Sequence, residues 1–234
     1  FATFNFGTST AYFWGGNAVA PADVNGDSRP EVVVSFTGLS PRSGVAVYDG
    51  RTAQPAFGRS IPQVIEGQLV YGTVLADLTG DKIPEIIATG QDSVYNRILW
   101  VKTRTIDGTD LRDLDGFPIR FPNASGWIGN VPAVADLDLD GKLEIVCAFF
   151  EYDVGSIYVF RANGEAYSGT GGTGSPGNPV GEVFRYPNTF GTPVVADITG
   201  DRHPEIIVRG GYILPGTGPE RLIILDYLGA LLPG

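Results

Sequence analysis

Short apolar runs and polar turns alternate along the chain in an order that occurs four times. In each repeat one apolar run leads into a nine-residue acidic phrase, and a second run, richer in β-branched residues, follows it. Two apolar runs joined by a polar turn predict a hairpin of strands buried on both faces. The first runs are residues 17–22, 73–76, 131–135 and 192–196, and the second are 31–35, 85–89, 144–148 and 205–209.

Each repeat continues with a third apolar run, which alternates with polar residues and predicts a third strand. Asp-Gly or Asn-Gly follows this run in three repeats, which predicts a two-residue hairpin with both turn residues at positive φ. A fourth strand is expected next, at residues 116–123 and 181–188 and less clearly at 56–62. The third runs are residues 45–48, 98–101, 157–160 and 222–225, and the turn pairs are Asp49-Gly50, Asp107-Gly108 and Asn163-Gly164.

The acidic phrases set the period of the repeat. They begin at intervals of about 54 to 61 residues, and each has Asp at its first and fifth positions and Glu at its ninth. Such a period marks an array of one supersecondary unit, and four antiparallel strands per unit describe propeller blades. We therefore predict an all-β, single-domain β-propeller over residues 1–234, with a larger propeller of which this is a segment as the alternative. Loops one to four are residues 23–31, 77–85, 136–144 and 197–205.

The two ends of the chain are complementary in pattern. The last repeat stops before its fourth strand, and residues 1–7 match the missing piece. We expect the N-terminal strand to complete the last blade and to cover an edge that would otherwise pair with other chains. The same strand could instead enter a neighbouring subunit, and head-to-tail exchange of this kind builds filaments.

Composition narrows the class of partner. The net charge of −10 and the pI near 4.5 argue against nucleic acid, whose phosphates need a basic face, and they favour cations. No apolar run is long enough to span a membrane. The only cysteine, Cys147, lies in an apolar run and is expected to be a buried, inert thiol.

The acidic loops have the ligand pattern of a calcium site. Oxygen side chains at positions one, three and five point into one small volume, the backbone carbonyl at position seven adds a ligand, and the ninth carboxylate can close the shell. Hard oxygen ligands in this number suit Ca²⁺. The candidate ligands are Asp23, Asn25, Asp27, Arg29 and Glu31 in loop one, Asp77, Thr79, Asp81, Ile83 and Glu85 in loop two, Asp136, Asp138, Asp140, Lys142 and Glu144 in loop three, and Asp197, Thr199, Asp201, His203 and Glu205 in loop four.

The four loops differ in quality as ligand sets. Loop three supplies four carboxylates and has Gly141 at position six, where a sharp turn prefers glycine. Loop one follows with three carboxylates and Asn25, whereas loops two and four have Thr at position three. The alternative is that these phrases form side-chain-capped turns without an ion, since Asp and Asn hydrogen-bond their own backbone in tight loops.

The loops resemble the calcium loops of FG-GAP and VCBS repeats, which occur in the integrin α-subunit propeller and in secreted bacterial proteins. The resemblance rests on phrases such as residues 135–145, ADLDLDGKLEI, and extends over essentially the whole chain. Two features depart from that family's pattern. The ninth ligand is always Glu rather than Asp, and loops one, two and four have glycine at position four, so that Ser28, Lys82 and Arg202 must adopt a conformation glycine adopts freely.

No residue set in the sequence makes a persuasive catalyst. His203 is the only histidine, its side chain is expected to face solvent, and no Gly-x-Ser-x-Gly motif is present. The resemblance implies an extracellular location and a binding role, and together with the lack of a catalytic set it leads us to expect a non-catalytic, calcium-binding adhesion or structural module with a protein or glycan partner. The alternatives are a filament subunit assembled by strand exchange and a secreted carbohydrate-binding lectin or polysaccharide lyase-like propeller.

Overall fold

The structure is a computed structural model that describes residues 19–36, 43–60, 63–67, 69–92, 96–121, 128–151, 154–167, 181–186, 189–211 and 221–233. Within these ranges the regular elements are antiparallel β-strands, apart from one 3-10 turn at Ala56–Gly58. The prediction of an all-β chain is therefore confirmed. The described part contains no helix of the length and hydropathy needed to cross a membrane.

Sheet one contains four strands in chain order. Each strand pairs antiparallel with the next, from β1 to β4. The prediction of a fourth strand at residues 56–62 was wrong, because the chain makes the 3-10 turn there, between an isolated bridge from Tyr48 to Pro55 and the later strand β4. The strands are β1 (Val19–Ala22), β2 (Glu31–Phe36), β3 (Ser43–Asp49) and β4 (Gln63–Gly67).

Sheet two has the same order but divides its fourth strand. Two short strands, β8 and β9, pair with opposite ends of β7, and the cis peptide bond before Pro118 lies between them. The strand predicted over residues 116–123 is thus seen as its central part, β9. The strands are β5 (Leu69–Ala76), β6 (Glu85–Gln91), β7 (Arg97–Arg104), β8 (Leu111–Asp113) and β9 (Ile119–Phe121).

Sheet three divides its first strand instead. Strands β10 and β11 both pair with β12, and the sheet continues through β13 to β14, which forms within the range predicted for the fourth strand. The strands are β10 (Ile128–Gly129), β11 (Ala133–Ala135), β12 (Glu144–Glu151), β13 (Val154–Arg161) and β14 (Glu182–Tyr186).

Sheet four has a divided first strand and, among its described residues, no regular fourth strand. An isolated bridge joins Leu225 to Leu231 at the outer edge of β18. The N-terminal strand that we expect at this edge lies outside the described residues. The strands are β15 (Thr189–Phe190), β16 (Val194–Ala196), β17 (Glu205–Gly211) and β18 (Arg221–Leu225).

The turns after the third strands differ from the two-residue hairpins predicted for them. Gly108 and Gly164 have φ of 68° and 81°, but the residue before each glycine does not have positive φ, and neither does Gly50. The Gly164 amide donates to the Arg161 carbonyl, and the Arg161 amide donates to the Glu165 carbonyl. This arrangement is a longer loop in which a type I turn is followed by a left-handed glycine, so only the glycine needs positive φ.

The chain divides into two compact units, Phe1–Asn123 and Ala124–Gly234. In each unit two consecutive sheets share one buried apolar core, because their strands are apolar on both faces. Cys147 is fully buried, as expected, and burial raises the pKa of its thiol. The first core contains Val33, Val45, Ile65, Ile86, Ile98 and Trp100, and the second contains Leu137, Val146, Ile157, Val159, Ile206 and Leu225.

Candidate metal centre

Each acidic loop joins the first strand of its sheet to the second, and each bends through two residues in the left-handed region. These residues occupy positions four and six, and only one of the two is glycine in any loop. The prediction that Ser28, Lys82 and Arg202 adopt positive φ is confirmed, and Leu139 carries the equivalent strain in loop three. The pairs are Gly26 (86°) and Ser28 (66°), Gly80 (78°) and Lys82 (69°), Leu139 (60°) and Gly141 (84°), and Gly200 (82°) and Arg202 (83°).

The first aspartate organises the turn in loops one, two and four. In loop one the Gly26 amide donates to Asp23 Oδ1 at 2.6 Å, and the Ser28 amide donates to Asp23 Oδ2 at 2.7 Å. Asp77 and Asp197 accept the equivalent pairs of amides. Both carboxylate oxygens of the first aspartate are therefore occupied by the loop's own backbone, which is the capped turn that Asp makes without an ion.

The fifth aspartate plays one role in all four loops. Its Oδ1 accepts the amide of the residue two positions later, at 2.8 to 2.9 Å. This is a local Asx-type bond that supports the second half of the turn. The donors are Arg29, Ile83, Lys142 and His203, so the structure gives the position-seven residues a backbone role as donors.

The ninth glutamate is buried in every loop, and its carboxylate hydrogen-bonds the backbone at the start of the turn. One oxygen, Oε2, accepts the amide of position two at 2.8 to 3.0 Å. In loops one, two and four the other oxygen is also occupied, by Asn25 Nδ2 at 3.1 Å, Thr103 Oγ1 at 2.8 Å and Thr199 Oγ1 at 3.2 Å respectively. In these loops the buried carboxylate is satisfied within the protein.

Loop three leaves three carboxylate oxygens without a hydrogen bond. The Gly141 amide donates to Asp136 Oδ2 at 2.9 Å, but Asp136 Oδ1, Asp138 Oδ1 and Glu144 Oε1 accept no hydrogen bond, and all three atoms are buried. Carboxylate oxygens from these three residues lie within 4.8 Å of one another. Among the described residues, this is the one cluster of three or more acidic, His or Cys side chains that meets this distance.

The free oxygens of loop three fit a calcium ion. Oxygens that share one Ca²⁺ lie 2.3–2.6 Å from it, so two of them are at most about 5 Å apart. A buried polar atom without a hydrogen bond is costly, and a cation bound between these three residues would supply a partner for such atoms. Burial and the charges of Asp138 and Asp140 raise the pKa of Glu144 to about 7, whereas the Leu137 amide and the Arg161 guanidinium oppose this rise.

Sequence reasoning missed the cation that borders this cluster, Arg161, at the end of β13. Its Nη2 donates to Asp138 Oδ2 at 3.0 Å, and its Nη1 lies 3.5 Å from Glu144 Oε1 and 3.7 Å from Asp140 Oδ2. The hairpin register, in which Glu144 faces Arg161, places it there. Equal lengths of the two strands on either side of residues 152–153 could have revealed this pairing from the sequence.

The remaining candidate ligands are not brought together in this way. Thr79 is exposed, Thr199 donates to Glu205, and the Arg104 guanidinium donates to Asp81 Oδ2 at 3.0 Å. Burial raises the pKa of Glu31 and Glu85 as well, although both carboxylates accept two hydrogen bonds. Loops one, two and four are thus closed turns in the form that the structure shows.

The expectation that the His203 side chain faces solvent was wrong. The ring is half-buried, stacks on Tyr227 at 4.1 Å between centroids, and places Nδ1 3.2 Å from the Leu137 carbonyl oxygen. Loop four therefore contacts the second residue of loop three. Ile83 takes the same position in loop two and lies beside Gly26 of loop one. Position seven joins neighbouring sheets within each unit.

Comparison with known proteins finds a family similarity over part of the chain. The FG-GAP-like repeat family matches residues 136–208, which contain loops three and four. No curated protein matches the chain significantly by sequence. Among solved structures, the chain is similar to the V. cholerae biofilm matrix protein Bap1, with a TM-score of 0.45 and 17% sequence identity. That alignment covers 93% of this chain and 38% of Bap1, so this chain spans well under half the length of that protein.

Proposed function

We propose that the chain is a non-catalytic, extracellular adhesion or structural module that binds one calcium ion at loop three. Two observations carry the proposal: Asp136, Asp138 and Glu144 each have a buried carboxylate oxygen without a hydrogen bond, and carboxylate oxygens of the same three residues lie within 4.8 Å of one another. The FG-GAP-like repeat match over the same loop supports the assignment.

The ion would be held by Asp136, Asp138 and Glu144, and its contribution is to neutralise charge and stiffen the turn. Loop three gathers four carboxylates, and the nearby Arg161 and Lys142 side chains balance two of them. The residual charge of about −2 matches one divalent cation, and like charges at this spacing otherwise repel. An ion that binds only the folded state stabilises it by mass action.

We also propose that the four sheets are blades of one β-propeller. The support is the fourfold acidic phrase, the common strand order in each sheet and the FG-GAP-like match. In this proposal the loops rigidify the surface that meets a partner, and bound calcium adds to the rigidity of loop three. Extracellular calcium modules commonly bind with Kd of about 10⁻⁴ to 10⁻³ M, and we expect the same range here.

Calcium titration of matched variants tests the metal site. Isothermal titration calorimetry is expected to give one ion per chain for the wild type and no binding for Asp138→Asn, which removes one anionic ligand with little change in shape. The control is Asp81→Asn, at a loop two aspartate that the Arg104 guanidinium already engages, and it is expected to bind like the wild type. Unaltered binding in Asp138→Asn, or lost binding in Asp81→Asn, would refute the assignment.

A further inference from the structure

The position that faces the buried ninth glutamate carries a different residue in each sheet where the contacts are seen. In sheet one Glu31 faces Asp49, in sheet two the Thr103 hydroxyl donates to Glu85, and in sheet three Glu144 faces Arg161. Loop three therefore combines the one glutamate that has a free oxygen with the one cation at this facing position among those three. The repeat architecture makes this combination visible, because the backbone frame is the same in each sheet.

Arg161 is fixed on two sides. On one side its guanidinium contacts Asp138, Asp140 and Glu144 at 3.0 to 3.7 Å. On the other, its Cζ lies 5.1 Å from the centroid of the Tyr167 ring, and that ring is only 5% exposed. A planar guanidinium suits both contacts, since it pairs with carboxylates and stacks on aromatic faces.

The guanidinium pairs with the acidic cluster but leaves two of its carboxylate oxygens without a hydrogen bond. It hydrogen-bonds Asp138 Oδ2, while Asp138 Oδ1 and Glu144 Oε1 accept no hydrogen bond. From this geometry we infer that Arg161 is the built-in counter-cation of loop three: it holds the acidic cluster together when calcium is absent and lowers calcium affinity by competing for the same carboxylates. The inference rests on the proposed calcium site and adds how the affinity of that site is set.

Sheet two offers a matched control for this inference. Arg104 ends β7 as Arg161 ends β13, and its Nη2 donates to Asp81 Oδ2 at the same 3.0 Å. Loop two, however, has no free buried carboxylate oxygen at its ninth position, because both oxygens of Glu85 accept hydrogen bonds. A substitution at Arg104 removes a comparable ion pair and leaves the proposed calcium site untouched.

The test compares Arg161→Gln with Arg104→Gln by calorimetric calcium titration and by thermal unfolding in cation-free buffer. Removing a unit charge about 4 Å from the ligands is expected to tighten calcium binding of Arg161→Gln by at least about tenfold. The melting temperature of the same variant is expected to fall in cation-free buffer and to recover with calcium. Arg104→Gln is expected to bind calcium like the wild type.

The outcomes separate this inference from the proposed function. Tighter binding by Arg161→Gln than by the wild type supports both. Equal or weaker binding by Arg161→Gln overturns the role of Arg161 and leaves the calcium site standing. Binding by Arg161→Gln alone supports the inference and refutes calcium binding by the wild type. Binding by neither protein overturns both.

A second variant keeps the test decisive if Arg161→Gln does not fold without calcium. Arg161→Lys retains the charge but has a single ammonium group, which cannot engage three carboxylates as a planar fork does. Its calcium affinity is expected to lie between those of the wild type and the neutral variant. Affinity equal to or below that of the wild type in Arg161→Lys would contradict competition by the guanidinium.

Discussion

Loops two and three have the same backbone frame, yet they satisfy their buried glutamates in different ways. Glu85 accepts one hydrogen bond from the Leu78 amide and another from the Thr103 hydroxyl, so both oxygens are occupied within the protein. Glu144 accepts the equivalent bond from Leu137, and its Oε1 accepts no hydrogen bond. In sheet two the Thr103 hydroxyl completes the hydrogen bonds of the buried glutamate, whereas in sheet three one oxygen of the buried glutamate accepts no hydrogen bond.

The comparison shows that an acidic loop of this kind is held as a turn by its own hydrogen bonds. Three of the four loops use both oxygens of their first aspartate to accept backbone amides and both oxygens of their glutamate to accept hydrogen bonds, so no buried oxygen of these residues lacks a partner. Loop three frees Asp136 Oδ1, and it is also the loop in which position four is Leu139 rather than glycine. We therefore expect the ligand pattern in a sequence to overstate how many ions a repeat array binds.

The largest expected difference comes from removing the two glutamates. Glu85→Ala orphans the Leu78 amide and the Thr103 hydroxyl, and we expect it to lower the free energy of unfolding by about 2–4 kcal/mol. Glu144→Ala orphans one amide and relieves acidic repulsion, so about 1–2 kcal/mol is expected in calcium-free protein. Urea denaturation of both variants measures the two losses in the free energy of unfolding. Equal losses would contradict the difference that we draw between loops two and three.

The pH dependence of the stability of the calcium-free protein should come mainly from Glu144. Its pKa of about 7 in the folded protein exceeds the ordinary value of 4.5, so the folded state binds the proton more tightly. Stability is then expected to fall by up to about 3 kcal/mol as pH rises from 4.5 through 7. Urea denaturation across this range should show a much flatter profile for Glu144→Gln. An unchanged slope would assign the effect to other groups.

Position seven gives a smaller effect that tests the link between loops four and three. His203→Ala removes the stack on Tyr227 and the contact with the Leu137 carbonyl, and we expect a loss of about 1–2 kcal/mol. His203→Phe keeps the stack and is expected to recover part of the loss in urea denaturation. Full stability in His203→Ala would show that the ring joins the loops without stabilising them.

The smallest effect is expected at the left-handed positions. Leu139→Gly and Ser28→Gly each place glycine at a φ that a side chain adopts with strain, 60° and 66°, and a gain of about 0.5–1 kcal/mol is expected for each. Gly141→Ala has open space around its Cβ but a φ of 84°, so it should lose about 1 kcal/mol through backbone strain alone. Thermal unfolding in cation-free buffer compares the three, and a gain in Gly141→Ala would contradict this reading.

The strand framework could be predicted because it depends on local pattern. The second and third strands were found in every repeat, since runs such as residues 205–209 are β-branched and apolar and follow a turn of fixed length. The fourth strand of sheet one was misplaced, because residues 56–62 have an apolar pattern but the chain bends there through Ala56–Gly58. The glycine turns were misjudged because their loops are longer than the Asp-Gly pair suggests.

Of the candidate site, the sequence predicted only the candidate ligands and not the residues that surround them. The carboxylates of loop three stand in one phrase of the sequence, whereas Arg161, Thr103 and Tyr227 reach the loops through strand pairing and sheet packing. Whether an oxygen is free depends on those distant donors. The sequence therefore shows which residues can bind an ion, and the packing determines which of them remain available.

Anomalous diffraction from crystals grown with calcium would test the central claim most directly, because it counts and locates the ions together. We expect one strong calcium peak per chain, between Asp136, Asp138 and Glu144, and none in loops one, two or four. Peaks of similar height in all four loops, or a peak in loop one with none in loop three, would contradict the claim that hydrogen bonding within the protein decides which loop binds the ion.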